Sequence, residues 1–114
     1  MKLINTFEYI EKKSKFIGLS YEVNSEDEVK HILNELKLTH KKAKHIPYAY
    51  KIDNLIKKSD DKEPANTAGL PMYNIIIQKD LNNILLVVVR YFGGIKLGSG
   101  PLFRAYNKAA NGLF

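Results

Sequence analysis

Four glycines lie within the eight residues 93–100, GGIKLGSG, and Pro101 follows them. The apolar run ILLVVVRYF at 84–92 predicts a buried strand before this glycine turn, and Pro101 predicts a helix after it. Glycine lets the backbone approach a partner closely, and the free N–H groups at a helix start attract anions. The pattern therefore predicts an anion or phosphate site, formed by Arg90, Gly93, Gly94, Lys96, Gly98, Ser99, Gly100 and Arg104.

The glycine turn does not match known nucleotide-binding loops. It lacks the spacing of a Walker loop and of a dinucleotide-binding loop, and Ser99 lacks the frame of a hydrolase nucleophile elbow. The structural alternative is a tight turn that packs a helix closely on a sheet. Both interpretations stay open at this point.

Three carboxylates lie within four residues of the segment SDDKEP at 59–64: Asp60, Asp61 and Glu63. Carboxylate oxygens suit a hard cation such as magnesium, or a basic partner. The alternative is a solvated loop in which Ser59 or Asp60 bonds to nearby backbone groups. Because the spacing matches no calcium or zinc loop, no metal is expected here.

Residues 37–45 hold four lysines and two histidines. They can contact phosphates, while Tyr48 and Tyr50 on the next expected strand can stack on bases. A charged helix end that complements the helix dipole is the slightly favoured alternative. His45 is the one histidine treated as a site candidate. No serine–histidine–aspartate arrangement is evident, so a hydrolase is not favoured.

The composition is that of one globular domain: 114 residues, 45% hydrophobic and 26% charged, with a formal net charge of +6. That charge suits either a nucleic acid or a well-solvated surface. The absence of cysteines excludes disulfides, thiol catalysis and cysteine-ligated metals. The N-terminus has no secretory pattern, and the apolar run 84–89 is too short to cross a membrane, so a cytoplasmic protein is expected.

Hydrophobic periodicity and turn residues define the expected elements. A helix is expected to start at Ser25, which has capping-box spacing with Glu28, and to end near Thr39. The other expected elements are a short edge strand at 7–10, strands at 15–23, 45–53 and 84–92, a polar loop at 54–67, and helices at 68–79 and 101–113. The expected caps are Thr67 or Asn66 for the second helix and Ser99 or Gly100 for the third. Strands interleaved with helices predict an α/β (α+β) sandwich, with helices packed on one mixed sheet.

Two long segments resemble a known family. SDDKEPANTAGLPM at 59–72 resembles the pattern SDDGEPxGTAGxPM, and RYFGGIKLGSGPLFRAY at 90–106 resembles RYFGGxKLGxGGLxRAY. Both patterns are those of the Impact/YigZ family, in the family's order. Lys62, Asn66 and Pro101 stand where the pattern has glycine. The resemblance implies a β-α-β fold like the second domain of a small-subunit ribosomal protein.

The resemblance also implies a function. Eukaryotic relatives act in translational control by binding a ribosome-associated activator of a stress kinase, and bacterial relatives are proposed to bind nucleic acid. Residues 1–114 are expected to form the N-terminal-type domain alone, without the C-terminal ferredoxin-like domain that bacterial relatives usually carry. The second motif marks a signature loop that includes Ser59, Asp60, Asp61, Glu63, Pro64, Thr67 and Gly69.

The resulting hypothesis is a non-catalytic binding module linked to the regulation of translation. Its expected partner is nucleic acid, RNA before DNA, or a ribosome-associated protein, and no cofactor is expected. Two alternatives stay open. One is a phosphate-binding protein or enzyme that uses the glycine turn, with Asp60 or Asp61 as base or metal ligand. The other is a protein–protein interaction domain.

Overall fold

The computed structural model of the chain describes residues 1–114. It contains five strands and three helices. In chain order these are β1 (Lys2–Glu11), β2 (Ser14–Glu22), α1 (Glu26–Thr39), β3 (Tyr48–Ile52), β4 (Leu55–Ser59), α2 (Gly69–Gln78), β5 (Ile84–Tyr91) and α3 (Ser99–Asn111).

The strands form one sheet in the order β1-β2-β5-β3-β4. The α+β sandwich is confirmed, but all four strand pairs are antiparallel, so the expectation of a mixed sheet is wrong. The crossover through α1 does bring β3 back parallel to β2. However, β5 inserts between these two strands and runs opposite to both, which makes every pairing antiparallel.

Strand β5 is the centre of two hydrophobic layers. Its residues from Ile84 to Arg90 are all buried, as the continuous apolar run predicted. Leu85, Val87 and Val89 face α1, while Ile84, Leu86 and Val88 face α2 and α3. Because side chains alternate along a strand, β5 contributes to the hydrophobic layers on both faces of the sheet. Its C-terminal end lies between the layer formed by α1 and the layer formed by α2 and α3.

Helix α1 confirms its predicted start and end. The Ser25 Oγ accepts a hydrogen bond from the Glu28 N–H at 3.2 Å, and the helix ends at Thr39. The reciprocal bond of the expected capping box is shifted by one residue, because the Glu28 carboxylate accepts from the Asn24 N–H at 2.9 Å. None of the three helices is both long and apolar enough to span a membrane.

The two edge strands were predicted least well. Strand β1 spans ten residues rather than 7–10, and β4 occupies residues 55–59 of the expected polar loop. Both carry mainly exposed side chains, so they lack the continuous apolar signal of β5. Strand β4 is paired through a two-residue connection at Asp53 and Asn54, where Asp53 has φ 53°.

Candidate functional site

The signature loop, residues 59–69, closes the start of α2. One carboxylate oxygen of Asp60 accepts from the N–H groups of Ala68 and Gly69, at 3.2 and 2.8 Å. Its other oxygen accepts from the Asn66 N–H at 2.9 Å. The expected caps Thr67 and Asn66 are wrong, because the Thr67 hydroxyl donates to the Pro64 carbonyl at 2.6 Å and Ala68 occupies the cap position. The cap comes from eight residues upstream, a distance that local capping patterns do not cover.

Other residues of the loop fasten it to the sheet. The Asp61 carboxylate accepts from the Ile46 N–H at 2.7 Å, and the Asp61 N–H donates to the Ser59 Oγ at 3.1 Å. A side chain at Gly69 would lie 3.0 Å from the Ser59 carbonyl group, so this glycine allows α2 to approach β4. No group of three or more histidine or acidic side chains is placed to hold a metal ion.

The third carboxylate, Glu63, is buried and joins three elements. One of its oxygens accepts from the Arg90 Nη1 at 2.6 Å and from the Tyr106 hydroxyl at 2.5 Å. Its other oxygen lies 3.5 Å from the His45 Nε2. Burial, together with the charge of Glu63, raises the pKa of Tyr106 well above its usual range, so this hydroxyl stays protonated.

The network brings together residues that the sequence analysis assigned to separate segments. Arg90 was expected at an anion-binding surface, yet its side chain is 4% exposed and paired with Glu63. Its Nε is buried without a hydrogen-bond partner. His45, the one histidine candidate, joins this network, and its carbonyl also accepts from the Arg90 N–H at 2.9 Å. The Arg90–Glu63 pair therefore forms the floor of the site rather than its surface.

The first two glycines of the turn are required by the fold. A side chain at Gly93 would overlap the carbonyl group of Lys13 in the β1–β2 hairpin, and the Gly93 N–H donates to the Ser14 Oγ at 3.2 Å. Gly94 has φ 92°, which L-residues rarely adopt. The tight-turn interpretation therefore holds for this half of the segment.

The second half of the turn has no such requirement. A side chain at Gly98 would meet only Pro101, at 3.8 Å, and one at Gly100 would lie 3.4 Å from the Arg104 Nη1. Helix α3 begins at Ser99, with Gly98 as a cap that supplies no side-chain bond. Pro101 is thus the third helical residue rather than the first, because Ser99 and Gly100 are already helical.

A cleft of about 230 Å³ lies between the glycine turn and the signature loop. Lys44 and Lys96 line it and are exposed, and neither belongs to the ion pairs of the structure. Phe92 is 40% exposed, and the Lys44 Nζ lies 4.7 Å from its ring centre. The residues lining the cleft are Lys44, Glu63, Pro64, Arg90, Phe92, Lys96, Leu97 and Leu102.

The sequence predicts Arg90 and Lys96 at this site, but not Lys44 or Phe92. Lys44 belongs to the lysine cluster at 37–45, and Phe92 ends the predicted strand at 84–92. Tyr50, expected to stack on bases, is buried in the core, stacks on Tyr48 and donates to the Glu26 carboxylate at 2.5 Å. The useful signal was the position of Phe92, an aromatic residue directly between a buried strand and a glycine turn.

Comparison with known proteins decides the family. The model of the Impact N-terminal domain matches residues 12–114. This chain belongs to the Impact family. The IMPACT family member YvyE of Bacillus subtilis is 41% identical over 107 residues, which cover 91% of this chain and 49% of that protein. YigZ of Escherichia coli is 35% identical over 105 residues, which cover 88% of this chain and 52% of YigZ.

Two solved structures of similar proteins agree with the fold. The crystal structure of a hypothetical protein superposes with a TM-score of 0.90 at 34% identity, covering 95% of this chain and 55% of the other. The two-domain translational regulator Yih1 has a TM-score of 0.56 at 27% identity, covering 98% of this chain and 45% of Yih1. This chain thus spans about half the length of the bacterial Impact relatives it matches.

Two of the three positions where this chain departs from the Impact pattern have a left-handed backbone. Lys62 has φ 70° and Asn66 has φ 64°, and the family pattern has glycine at both. A left-handed backbone explains the family's glycines, because a Cβ is disfavoured there. Asn tolerates this region better than most residues, whereas Lys62 is a strained substitution.

Proposed function

We propose that this Impact domain is a binding module linked to the regulation of translation, and that its cleft binds single-stranded RNA. The observation that carries the proposal is the distribution of charge around the cleft. Asp60, Asp61 and Glu63 are all engaged inside the protein, whereas Lys44 and Lys96 are exposed without acidic partners. The cleft therefore offers uncompensated positive charge to a phosphate group.

Phe92 supports an RNA strand rather than a simple anion. Phe92 is 40% exposed beside Lys44, although it lies only two residues after the fully buried stretch of β5. Single-stranded nucleic acids bind to surfaces that combine cations for the phosphates with aromatic rings for the bases. Lys44 and Phe92 provide both in adjacent positions, while a free phosphate would use only the lysine.

The engaged carboxylates also favour binding over catalysis. A general base needs a carboxylate or imidazole that is free to reach a substrate proton. Asp60 and Asp61 accept backbone N–H groups, and Glu63 accepts from Arg90 and Tyr106. Similarity to the translational regulator Yih1 supports the link to translation.

The salt dependence of RNA binding tests the proposal. Affinity for a labelled single-stranded RNA of 12 nucleotides would be measured by fluorescence anisotropy between low and moderate salt. Lys44→Ala and Lys96→Ala are each expected to reduce the slope of log affinity against log salt by about 0.7, the value for one phosphate contact on a single strand. The control is Lys30→Ala, an exposed lysine on α1, which should leave the slope unchanged. Wild-type binding that does not depend on salt would overturn the proposal.

Stacking on Phe92 has a separate readout, because the chain contains no tryptophan. In Phe92→Trp, the single indole should remain able to stack, and RNA should quench its fluorescence. Phe92→Leu keeps an apolar residue but removes the aromatic face, and should weaken binding by about five- to tenfold. Equal binding of the single strand and its duplex, with no quenching, would show that Phe92 does not stack on a base.

A further inference from the structure

The β1–β2 hairpin ends in two lysines with an unusual backbone. Glu11 pairs with Ser14, so Lys12 and Lys13 form a two-residue turn. Their φ angles are 45° and 68°, both in the left-handed region. Such turns favour Asn-Gly and related pairs, because other residues bring Cβ close to the backbone. The sequence thus keeps two cations at a position where uncharged residues fit better.

The hairpin tip is fixed against the cleft. Gly93 follows the cleft residue Phe92, and its backbone packs directly on the carbonyl group of Lys13. The Gly93 N–H also donates to the Ser14 Oγ at 3.2 Å. The absence of a side chain at Gly93 makes this approach possible, so one glycine of the turn serves to join the hairpin to the site.

The two lysines of the tip have no ion-pair partner. Lys12 and Lys13 are exposed, and neither takes part in an ion pair. The neighbouring carboxylate of Glu11 accepts from the Tyr9 hydroxyl at 2.7 Å. On β2, the Lys15 Nζ lies 6.0 Å from the ring centre of Tyr91, next to Phe92 in sequence. Positive charge therefore continues from the cleft towards the hairpin.

We infer that Lys12 and Lys13 are a second contact for the RNA strand that occupies the cleft, binding phosphates next to the nucleotide at Phe92. The inference rests on the proposed function, since it extends the same surface. Residues other than glycine that are held in the left-handed region are often found at binding sites. Here the strained residues carry the charge, and the contact with Gly93 holds them beside the site.

The decisive variant combines Lys12→Asn with Lys13→Gly. It removes both charges and supplies the residues that this turn prefers, so its Tm should rise by a few degrees. RNA affinity should fall by about tenfold, and the salt slope by about 1.4, the value for two phosphate contacts. A variant that becomes more stable while it binds less tightly separates a binding role from a structural one.

Two comparisons complete the experiment. Lys12→Gln with Lys13→Gln should lose the same affinity without the gain in Tm. Lys2→Gln with Lys30→Gln removes the same charge from sites away from the hairpin tip, at the start of β1 and on α1, and should bind as the wild type does.

The outcomes distinguish the two proposals. If the wild type binds RNA with a steep salt slope and both hairpin variants match it, the hairpin inference is overturned while the proposed function stands. If the hairpin variants and the Lys2 and Lys30 control lose the same affinity relative to the wild type, the loss reflects net charge alone, and the inference again fails. If the wild type shows no salt-dependent binding, the proposed function fails and the inference fails with it.

Discussion

Helices α2 and α3 begin in opposite ways, although both pack on the same side of the sheet. At α2, the Asp60 carboxylate accepts from the N–H groups of Ala68 and Gly69. At α3, the cap residue Gly98 provides no side chain, and no acidic residue stands in the first turn. One positive helix end is neutralised from inside the protein, and the other is left unneutralised.

The difference shows that the two motifs have different tasks. The carboxylates of the signature loop accept from the segment before β3, from the start of α2, from β5 and from α3, so this loop connects these four parts of the protein. The second half of the glycine turn makes no comparable bonds, and the residues on either side of the α3 start, Leu97 and Leu102, line the cleft. The signature loop therefore holds the surrounding elements together, whereas the α3 start leaves backbone N–H groups without a capping side chain beside the cleft.

The largest loss of stability is expected from a substitution in the signature loop, at Glu63. Glu63→Ala leaves the Arg90 guanidinium buried without its carboxylate and removes the acceptor of the Tyr106 hydroxyl. Breaking one side of a buried pair should lower the free energy of unfolding by about 3–5 kcal/mol. Urea unfolding followed by circular dichroism measures this change.

The matched variant in the glycine turn is Lys96→Ala. Lys96 is exposed in the glycine turn, so its removal should change the free energy of unfolding by less than about 0.5 kcal/mol.

A loss of less than about 1 kcal/mol for Glu63→Ala would contradict the prediction, because the buried network would then not hold the site together.

The second effect is expected at the α2 cap. Asp60→Ala removes the acceptor for three backbone N–H groups, those of Asn66, Ala68 and Gly69. The expected loss is about 2–3 kcal/mol in the same unfolding experiment. Asp60→Asn keeps one acceptor oxygen and should recover part of the stability. If both variants unfold like the wild type, Asp60 has no capping role and the two helix starts do not differ in the proposed way.

Hydrophobic patterning predicted the interior of the fold better than its edges. The apolar run of β5 and the apolar stripe of α1 consist of residues that are buried, and burial is what the pattern of residue types predicts. The edge strands β1 and β4 have mostly exposed side chains, and the order β1-β2-β5-β3-β4 depends on contacts between distant segments. The expected mixed sheet failed for this reason, since the position of β5 is a property of the whole chain.

The site shows the same limit. The sequence identified the two motifs, but it assigned Arg90 to the surface and Thr67 or Asn66 to the α2 cap. Local patterns do not contain a cap eight residues upstream, or a carboxylate that reaches an arginine across the sheet. Only the structure distinguishes the glycines that the fold requires from those that it does not. Gly93 is required by close packing and Gly94 by its positive φ, whereas neither reason applies to Gly98.

A small gain in stability, and the sharpest test of the comparison, is expected from a substitution that caps the α3 start. Gly98 has φ −72° and ψ 173°, which any residue adopts, and an added side chain would meet only Pro101. Gly98→Asp supplies a capping carboxylate, so the free energy of unfolding should rise by about 0.5 kcal/mol. The same carboxylate would repel a phosphate at this helix start, so RNA affinity should fall.

Gly98→Ser separates the two consequences, because it caps the helix without adding charge. Its stability should approach that of Gly98→Asp, while its RNA affinity should stay closer to the wild type. Equal RNA binding by the wild type and both variants would place the α3 start outside the binding surface. A glycine would then stand at this cap without benefit to either stability or binding. A loss confined to Gly98→Asp would show that the uncapped helix start serves the anionic partner, in contrast to the start of α2.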